Sequence, residues 1–394
     1  MRSHSPNGRP LSRRGCVACK PRLRRWPLRC LVLLGTLACL VSCGAFTAGA
    51  LELRGQALGT SWFALISDPP AGVDQARVRS AIDQALAEMD RLASDWRADS
   101  ELSTLNDWLA SHPVGARFDL SPELCQLLSL SDRVHGVTRG AFDPSVAELV
   151  GALGFGARAR PTPLEPGPAL EAIRARIGWQ RLGFDGAGCR LAPEPGAASA
   201  LDLSGIAKGA AVDGAARALR ALGIEDFLLE VGGEVVLSGR SPRGDAWLQG
   251  VDRPTTTPDA PRSPALRFLA SDTAVATSGD YRQWTVLDGR RISHVVDPRA
   301  GAALESRVAS VTVLSLDCAT ADAYATGLMV LGVQEGMRAA DASREVEALF
   351  IEYEPAGGFR LTCTPGFPPI ELAPEFKSQL HGRLPAQVRS TPLR

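Results

Sequence analysis

The stretch Asp202 to Gly233, DLSGIAKGAAVDGAARALRALGIEDFLLEVGG, constrains the fold of this chain more than any other. Leu201, Asp202 and Leu203 read as the end of a strand, and Ser204-Gly205 as a turn. Ala207 to Leu222 reads as a helix, with Ala207, Ala211, Ala215, Ala218 and Leu222 at three- and four-residue spacing. Gly223 stops that helix. Phe227 to Val231 is a second strand, closed by Gly232-Gly233. A small-residue turn entering a helix leaves backbone N–H groups free. Together with the helix dipole they suit an anion such as a phosphate. Ala210 and Ala211 keep the helix surface low enough for a bulky ligand to approach the backbone. Taken alone, the stretch reads equally well as an ordinary β-turn-α-β core unit.

The chain of 394 residues, 45% hydrophobic, suffices for one large domain or two smaller ones. Its formal charge of zero is a cancellation. Residues 1–29 carry nine Lys and Arg and no acids, so 34 basic residues face 43 acidic ones in the remainder. An acidic remainder lacks the basic footprint of a nucleic-acid-binding protein. Behind the basic leader, Cys30 to Val41 is apolar but too short for a spanning helix of about 20 residues, and it fits a signal-peptide core. Leu40-Val41-Ser42-Cys43 resembles a bacterial lipobox. That implies cleavage before Cys43, diacylglycerol on its sulfur, and an exported protein lipid-anchored to the periplasmic face of a bacterial membrane. The expected organisation is a signal peptide over 1–42, a tether over 43–50, one domain over 51–376 and a polar, frayed tail over 377–394. Cys16 and Cys19 have metal-like spacing but lie in the leader without a second pair. Cys125, Cys189, Cys318 and Cys363 either pair after export or serve as small buried hydrophobes.

Along the remaining chain, Glu52 to Ile66 reads as a strand pair around Gly59-Thr60, and Val73 to Leu92 as an amphipathic helix. Trp96 stands in a polar loop. Pro122 to Thr138 is helical, and Gly140 to Pro144 is a turn. Strands are expected over Glu234 to Leu237, Ala246 to Val251, Val308 to Leu316 and Ala348 to Tyr353, an extended run over Leu266 to Thr277, and a hairpin around Asp288-Gly289. Ala319 to Leu331 and Gln334 to Ala342 are two helices separated at Gly332. Hairpin signals are frequent among the helices. They favour an α+β fold of largely antiparallel sheets with packed helices, in two intertwined subdomains forming one unit.

Five pieces in order, Ala57-Leu-Gly-Thr-Ser-Trp62, Gly140-Ala-Phe-Asp-Pro144, the Asp202 stretch, Ser293-His-Val-Val-Asp-Pro298 and Ala321-Asp-Ala-Tyr-Ala-Thr326, resemble the FAD:protein FMN transferase (ApbE-like) family. The resemblance spans roughly Leu51 to Phe376. It implies an exported, often lipid-anchored, magnesium-dependent enzyme. Such an enzyme splits FAD and attaches FMN to a Thr or Ser of an acceptor redox protein, here a membrane-bound subunit, with AMP leaving. Asp322 and Thr326, four residues apart, share one helix face. The resemblance makes them the magnesium ligands together with the backbone carbonyl of Ala211. A hard divalent cation with oxygen ligands suits a pyrophosphate substrate. His294 takes the place of the general base, a role its chemistry suits near neutral pH.

For FAD itself the resemblance implicates Leu58 and Trp96 against the rings, and Ala141, Phe142 and Asp143 along the adenosine or ribityl side. Lys208 and Gly214 would flank the phosphates, and Val296 would offer backbone groups beside His294. The family usually has methionine where Leu58 stands, and the position of Lys208 varies. An FAD pyrophosphatase and a non-catalytic periplasmic flavin-binding lipoprotein are the alternatives. Storage needs no base, so His294, Asp322 and Thr326 speak against the second.

Overall fold

Apolar alternation on either side of Leu58-Gly59 builds the first hairpin. The computed structural model describes residues 49–391 apart from 112–114, 165–166, 256–260, 282–283 and 288–289. In it, β1 (Leu51–Ala57) and β2 (Thr60–Ile66) pair antiparallel. Leu58 and Gly59 both take left-handed backbone, with φ of 52° and 71°. A two-residue turn of that hand matches the twist of the flanking strands. A leucine in it is uncommon, because its Cβ crowds the backbone.

The hairpin opens one eight-stranded sheet that continues through β3 (Phe227–Val231), β4 (Glu234–Ser238), β5 (Thr273–Gly279), β6 (Val308–Ser315), β7 (Glu347–Tyr353) and β8 (Phe359–Cys363). The spatial order is β1 to β8, and every neighbouring pair is antiparallel. Residues alternate between two buried faces, as the pleat requires. On one face Trp62, Ala64, Ile66, Leu229 and Val236 meet Val78, Ile82 and Leu86 of α1 (Gln75–Ala93), together with buried alanines of the helix Ser204–Ala221. On the other, Phe63, Leu65, Leu237, Val275 and Ile351 meet a three-stranded sheet of Trp247–Asp252, Pro264–Ala270 and Ile370–Leu372. The architecture is α+β.

The helical layer holds α2 (Glu101–Ser111), α3 (Pro122–Val137), α4 (Ser204–Ala221) and α5 (Cys318–Ser343). Helix α4 starts at Ser204, so Ser204-Gly205 is its first turn rather than a preceding loop. Leu201 to Leu203 is not strand. The side-chain amide of Asn106, on α2, takes the place of a strand partner: it donates to the Leu201 carbonyl at 3.0 Å and accepts from its N–H at 2.7 Å. Gly332, with φ of 74° and ψ of 176°, interrupts α5 where two helices are expected. Leu266 to Thr277 splits at Asp272 (φ 50°) into strands of two different sheets.

Cys125 and Cys189 form a disulfide with a Cα–Cα separation of 5.3 Å, tying α3 to the segment after it. Cys318 and Cys363 are free. The segment after Phe376 is not frayed. Phe376 is fully buried, Leu380 and Val388 pack on the same cluster, and their backbones bridge to Phe359 and Ile370. The expected turn at Asp288-Gly289 lies outside the described residues, although the strands flanking it, Trp284–Leu287 and Arg290–Ser293, do pair. The leader and Cys43 also lie outside. Among the described residues no helix is long and apolar enough to cross a membrane.

Helices α4 and α5 meet backbone to backbone. A Cβ on Gly209 would sit 2.3 Å from the Cys318 carbonyl oxygen, whereas one on Gly214 would meet only the tip of Arg217 at 3.7 Å. Gly209→Ala is therefore expected to lose about 1–3 kcal/mol by forcing the helices apart. Gly214→Ala should gain up to about 1 kcal/mol of helix propensity. Urea denaturation of both variants checks this, and equal effects would contradict it.

Candidate active site

Asp322 lies one turn into α5, only 4% exposed, against the glycine face of α4. Its Oδ2 accepts the Gly209 N–H at 3.0 Å. Its Oδ1 stands 3.9 Å from Lys208 Nζ, but the lysine's nearer partner is Glu234 Oε1 at 2.5 Å. Glu234, 3% exposed, opens β4 directly after Gly232-Gly233, and its Oε2 finds no hydrogen-bond partner among the described residues. Two buried carboxylates thus share one ammonium. Burial raises the Asp322 carboxyl, against the pull of Lys208 and the Gly209 N–H. Burial, with Asp322 adding to it, pushes Glu234 up to about 7 against the opposing Lys208. Burial also works against the Lys208 charge, but Asp322 and Glu234 outweigh it and hold the ammonium above the usual lysine value.

One turn further on, Thr326 Oγ1 lies 3.3 Å from Ser278 Oγ, and a Cβ on Gly205 would stand 3.0 Å from it. Gly209 therefore faces Asp322 and Gly205 faces Thr326, a four-residue step on each of two antiparallel helices. Ala211 is fully buried on α4. Among the described residues no three His, Cys, Asp or Glu side chains converge on one point. One carboxylate and one hydroxyl are nevertheless oxygen donors that magnesium accepts when backbone oxygen, water and substrate phosphate complete its shell. The unpartnered Glu234 oxygen and the excess of buried negative charge fit a cation there.

The remaining candidate residues fall around this seam. Ala141 and Phe142 are buried, and the Phe142 ring would stand 3.3 Å from a Cβ on Gly205. The carboxylate of Asp143 serves its own loop. It accepts from Ser145 N and Oγ at 2.8 and 2.6 Å and from Trp179 N at 3.1 Å, with His135 Nδ1 at 3.7 Å. Trp96 is 79% exposed, so it is not a core aromatic. Leu58 caps the first hairpin, and Gly214 lies three residues beyond Ala211 on α4. Val296 is buried and pairs with Ala303. His294 meets Phe155 edge-on, with ring centroids 6.3 Å apart and planes at 65°.

Sequence reasoning missed Glu234, although it follows the Gly232-Gly233 turn directly. It also passed over the four-residue spacing of Gly205 and Gly209. Nothing local marked Phe155.

The ApbE family model matches residues 58–350, and the chain belongs to that family. It is 35% identical over 349 residues to the FAD:protein FMN transferase of Vibrio cholerae, covering 88% of this chain and 99% of the relative. To the FAD:protein FMN transferase of Escherichia coli K12 it is 30% identical over 319 residues, 80% of this chain and 87% of the relative. Among solved structures, the flavin transferase ApbE from Vibrio cholerae superposes with a TM-score of 0.71 at 35% identity, over 84% of this chain and 99% of that one. The apo flavinyl transferase ApbE of Pseudomonas stutzeri gives 0.69 at 30% identity, over 80% and 95%.

The raised Glu234 carboxyl has a consequence for stability. Its folded value of about 7 lies above the ordinary 4.5, so the folded state holds the proton longer than the unfolded one. Its contribution is present below about pH 4.5 and is lost as pH rises to about 7. Metal-free protein should lose on the order of 3 kcal/mol across that window from this group, and Glu234→Gln should flatten the slope. Urea midpoints in chelator at the two pH values measure the effect, and parallel curves for both proteins would contradict it.

Proposed function

We propose that this chain is a magnesium-dependent FAD:protein FMN transferase. The observation that carries the reading is the register of Asp322 and Thr326 against Gly209 and Gly205, in a chain 35% identical to a relative of that name. Asp322, Thr326 and the Ala211 carbonyl would hold the magnesium. Bound there, it would act as a Lewis acid on the pyrophosphate oxygens. Lys208, whose side chain keeps 36% of its exposure, adds a positive charge beside the seam for the phosphates. Trp96 stacks on a flavin ring system, as an exposed indole suits. His294 draws the proton from a Thr or Ser hydroxyl of the acceptor as that oxygen bonds to the FMN phosphorus. The pyrophosphate P–O bond breaks, and AMP leaves.

The same reading places the protein outside the cytoplasm, lipid-anchored through Cys43, with a membrane-bound redox subunit as acceptor. The Cys125–Cys189 disulfide supports the compartment, since such bonds persist where conditions are oxidising. Cys43→Ser should release the protein from membranes, and fractionation that leaves the mutant with the membranes would count against acylation.

Asp322→Asn keeps the shape and an acceptor for Gly209 but loses the charge. It should abolish FAD cleavage at limiting magnesium while the thermal transition persists. Activity equal to the native enzyme under those conditions would remove Asp322 from the metal site. His294→Ala should bind FAD with native affinity and transfer FMN at least about 100-fold more slowly. AMP release with and without an acceptor peptide separates transferase from pyrophosphatase. Native-rate transfer by His294→Ala would place the base elsewhere.

A further inference from the structure

The segment that follows the helix Ala147–Ala152 is exposed over residues 158–162 but is tied back at several points. Phe155 N–H donates to the Val150 carbonyl at 3.0 Å, Arg160 N–H to Gly151 at 3.0 Å, and Leu164 N–H to Ala152 at 2.8 Å. The strap folds back so closely that a Cβ on Gly151 would stand 2.6 Å from the Arg158 carbonyl oxygen. Phe155 and Leu164 pack in the cluster that contains Val296, two residues from His294.

From this anchored strap two side chains reach two different functional elements. The Phe155 ring packs at a steep angle against the imidazole of His294. Arg158 lies 3.6 Å through Nε from Asp95 Oδ1, the residue next to Trp96. Asp95 is also approached by Asn106 Nδ2 at 3.4 Å. Asn106 brackets Leu201 from both sides, immediately before Asp202, whose carboxylate accepts the Ser204 N–H at the start of α4. A continuous chain of contacts thus runs from the imidazole, through the strap, to the indole loop and on to the α4 N-terminus.

We propose that residues 153–164 set the relative position of base and flavin: Phe155 positions the His294 imidazole, and Arg158 positions the loop that carries Trp96. The inference rests on the roles given above to His294 and Trp96. An imidazole that must meet an acceptor hydroxyl depends on its angle, and small misplacements of a reacting group cost large factors in rate. A ring packed against the imidazole restrains that angle by contact. The Arg158–Asp95 pair is partly exposed and correspondingly weak, so its loss should act on binding by a small factor.

The experiment measures FAD affinity by calorimetry and FMN transfer at saturating FAD for Phe155→Leu, Phe155→Tyr, Arg158→Met and His294→Ala. Phe155→Leu should lower kcat about tenfold with unchanged FAD affinity, and Phe155→Tyr should restore it. Arg158→Met should weaken FAD binding about threefold with native kcat. If Phe155→Leu keeps the native kcat while His294→Ala is slow, the positioning role is wrong and the base assignment stands. If Phe155→Leu loses FAD affinity and kcat together and Phe155→Tyr fails to rescue, Phe155 is general packing and the inference falls. Native transfer by His294→Ala would overturn the base assignment and this inference with it.

Discussion

The hydrogen bond from Gly209 N–H to Asp322 Oδ2 is the interaction on which the rest of the site depends. It exists because the backbones of α4 and α5 touch, and they touch because Gly209 and Gly205 carry no side chains at the crossing. Alanine at either position would push against the Cys318 carbonyl or against Thr326. The Asp322 carboxylate is thereby buried without being orphaned: one oxygen is fixed by the backbone and the other faces Lys208. The eight-stranded sheet fixes the two helices from beneath, through the alanines of α4 and the buried residues at the start of α5.

Negative charge is concentrated around this crossing, and its groups differ in how they are partnered. Asp317 caps α5 through Thr320 N, and Asp213, from α4, accepts the Cys318 and Ala319 N–H groups at 2.9 Å each. Carboxylates at a helix N-terminus are favoured by its dipole. Burial nevertheless pushes Asp213 up to about 6, with its two N–H bonds opposing and Asp317 adding to the rise. Glu234 differs from these two. One of its oxygens is held by Lys208 and the other by nothing among the described residues. The helix-capping carboxylates are satisfied by the fold itself. The Glu234–Lys208–Asp322 cluster sets two buried carboxyl groups against one ammonium.

Much of this was legible in the sequence, where a pattern is local. The α4 periodicity, the break of α5 at Gly332 and the shared face of Asp322 and Thr326 follow from spacing along one helix. The start of α4 was misplaced because Asn106, about 95 residues away, supplies the hydrogen bonds that a strand partner would have made. The docking of residues after Phe376 was missed because two apolar residues, Leu380 and Val388, decide it within a polar segment. The bonds from Trp179 and Ser145 that fix the Asp143 carboxylate likewise come from residues the local sequence does not point to. Glu234 and Phe155 become informative only once the sheet and the strap bring them to Lys208 and His294. That pairing depends on tertiary distance and leaves no period in the chain.

The central claim, that the α4–α5 seam serves transfer of FMN rather than its storage, is tested most directly by mass spectrometry of an acceptor. Protein, FAD, magnesium and a candidate redox subunit are incubated, and the denatured acceptor is digested. The account predicts one Thr- or Ser-containing peptide heavier by an FMN phosphoester, with AMP released in equal amount. An acceptor that stays unmodified while FAD remains bound and intact would contradict it.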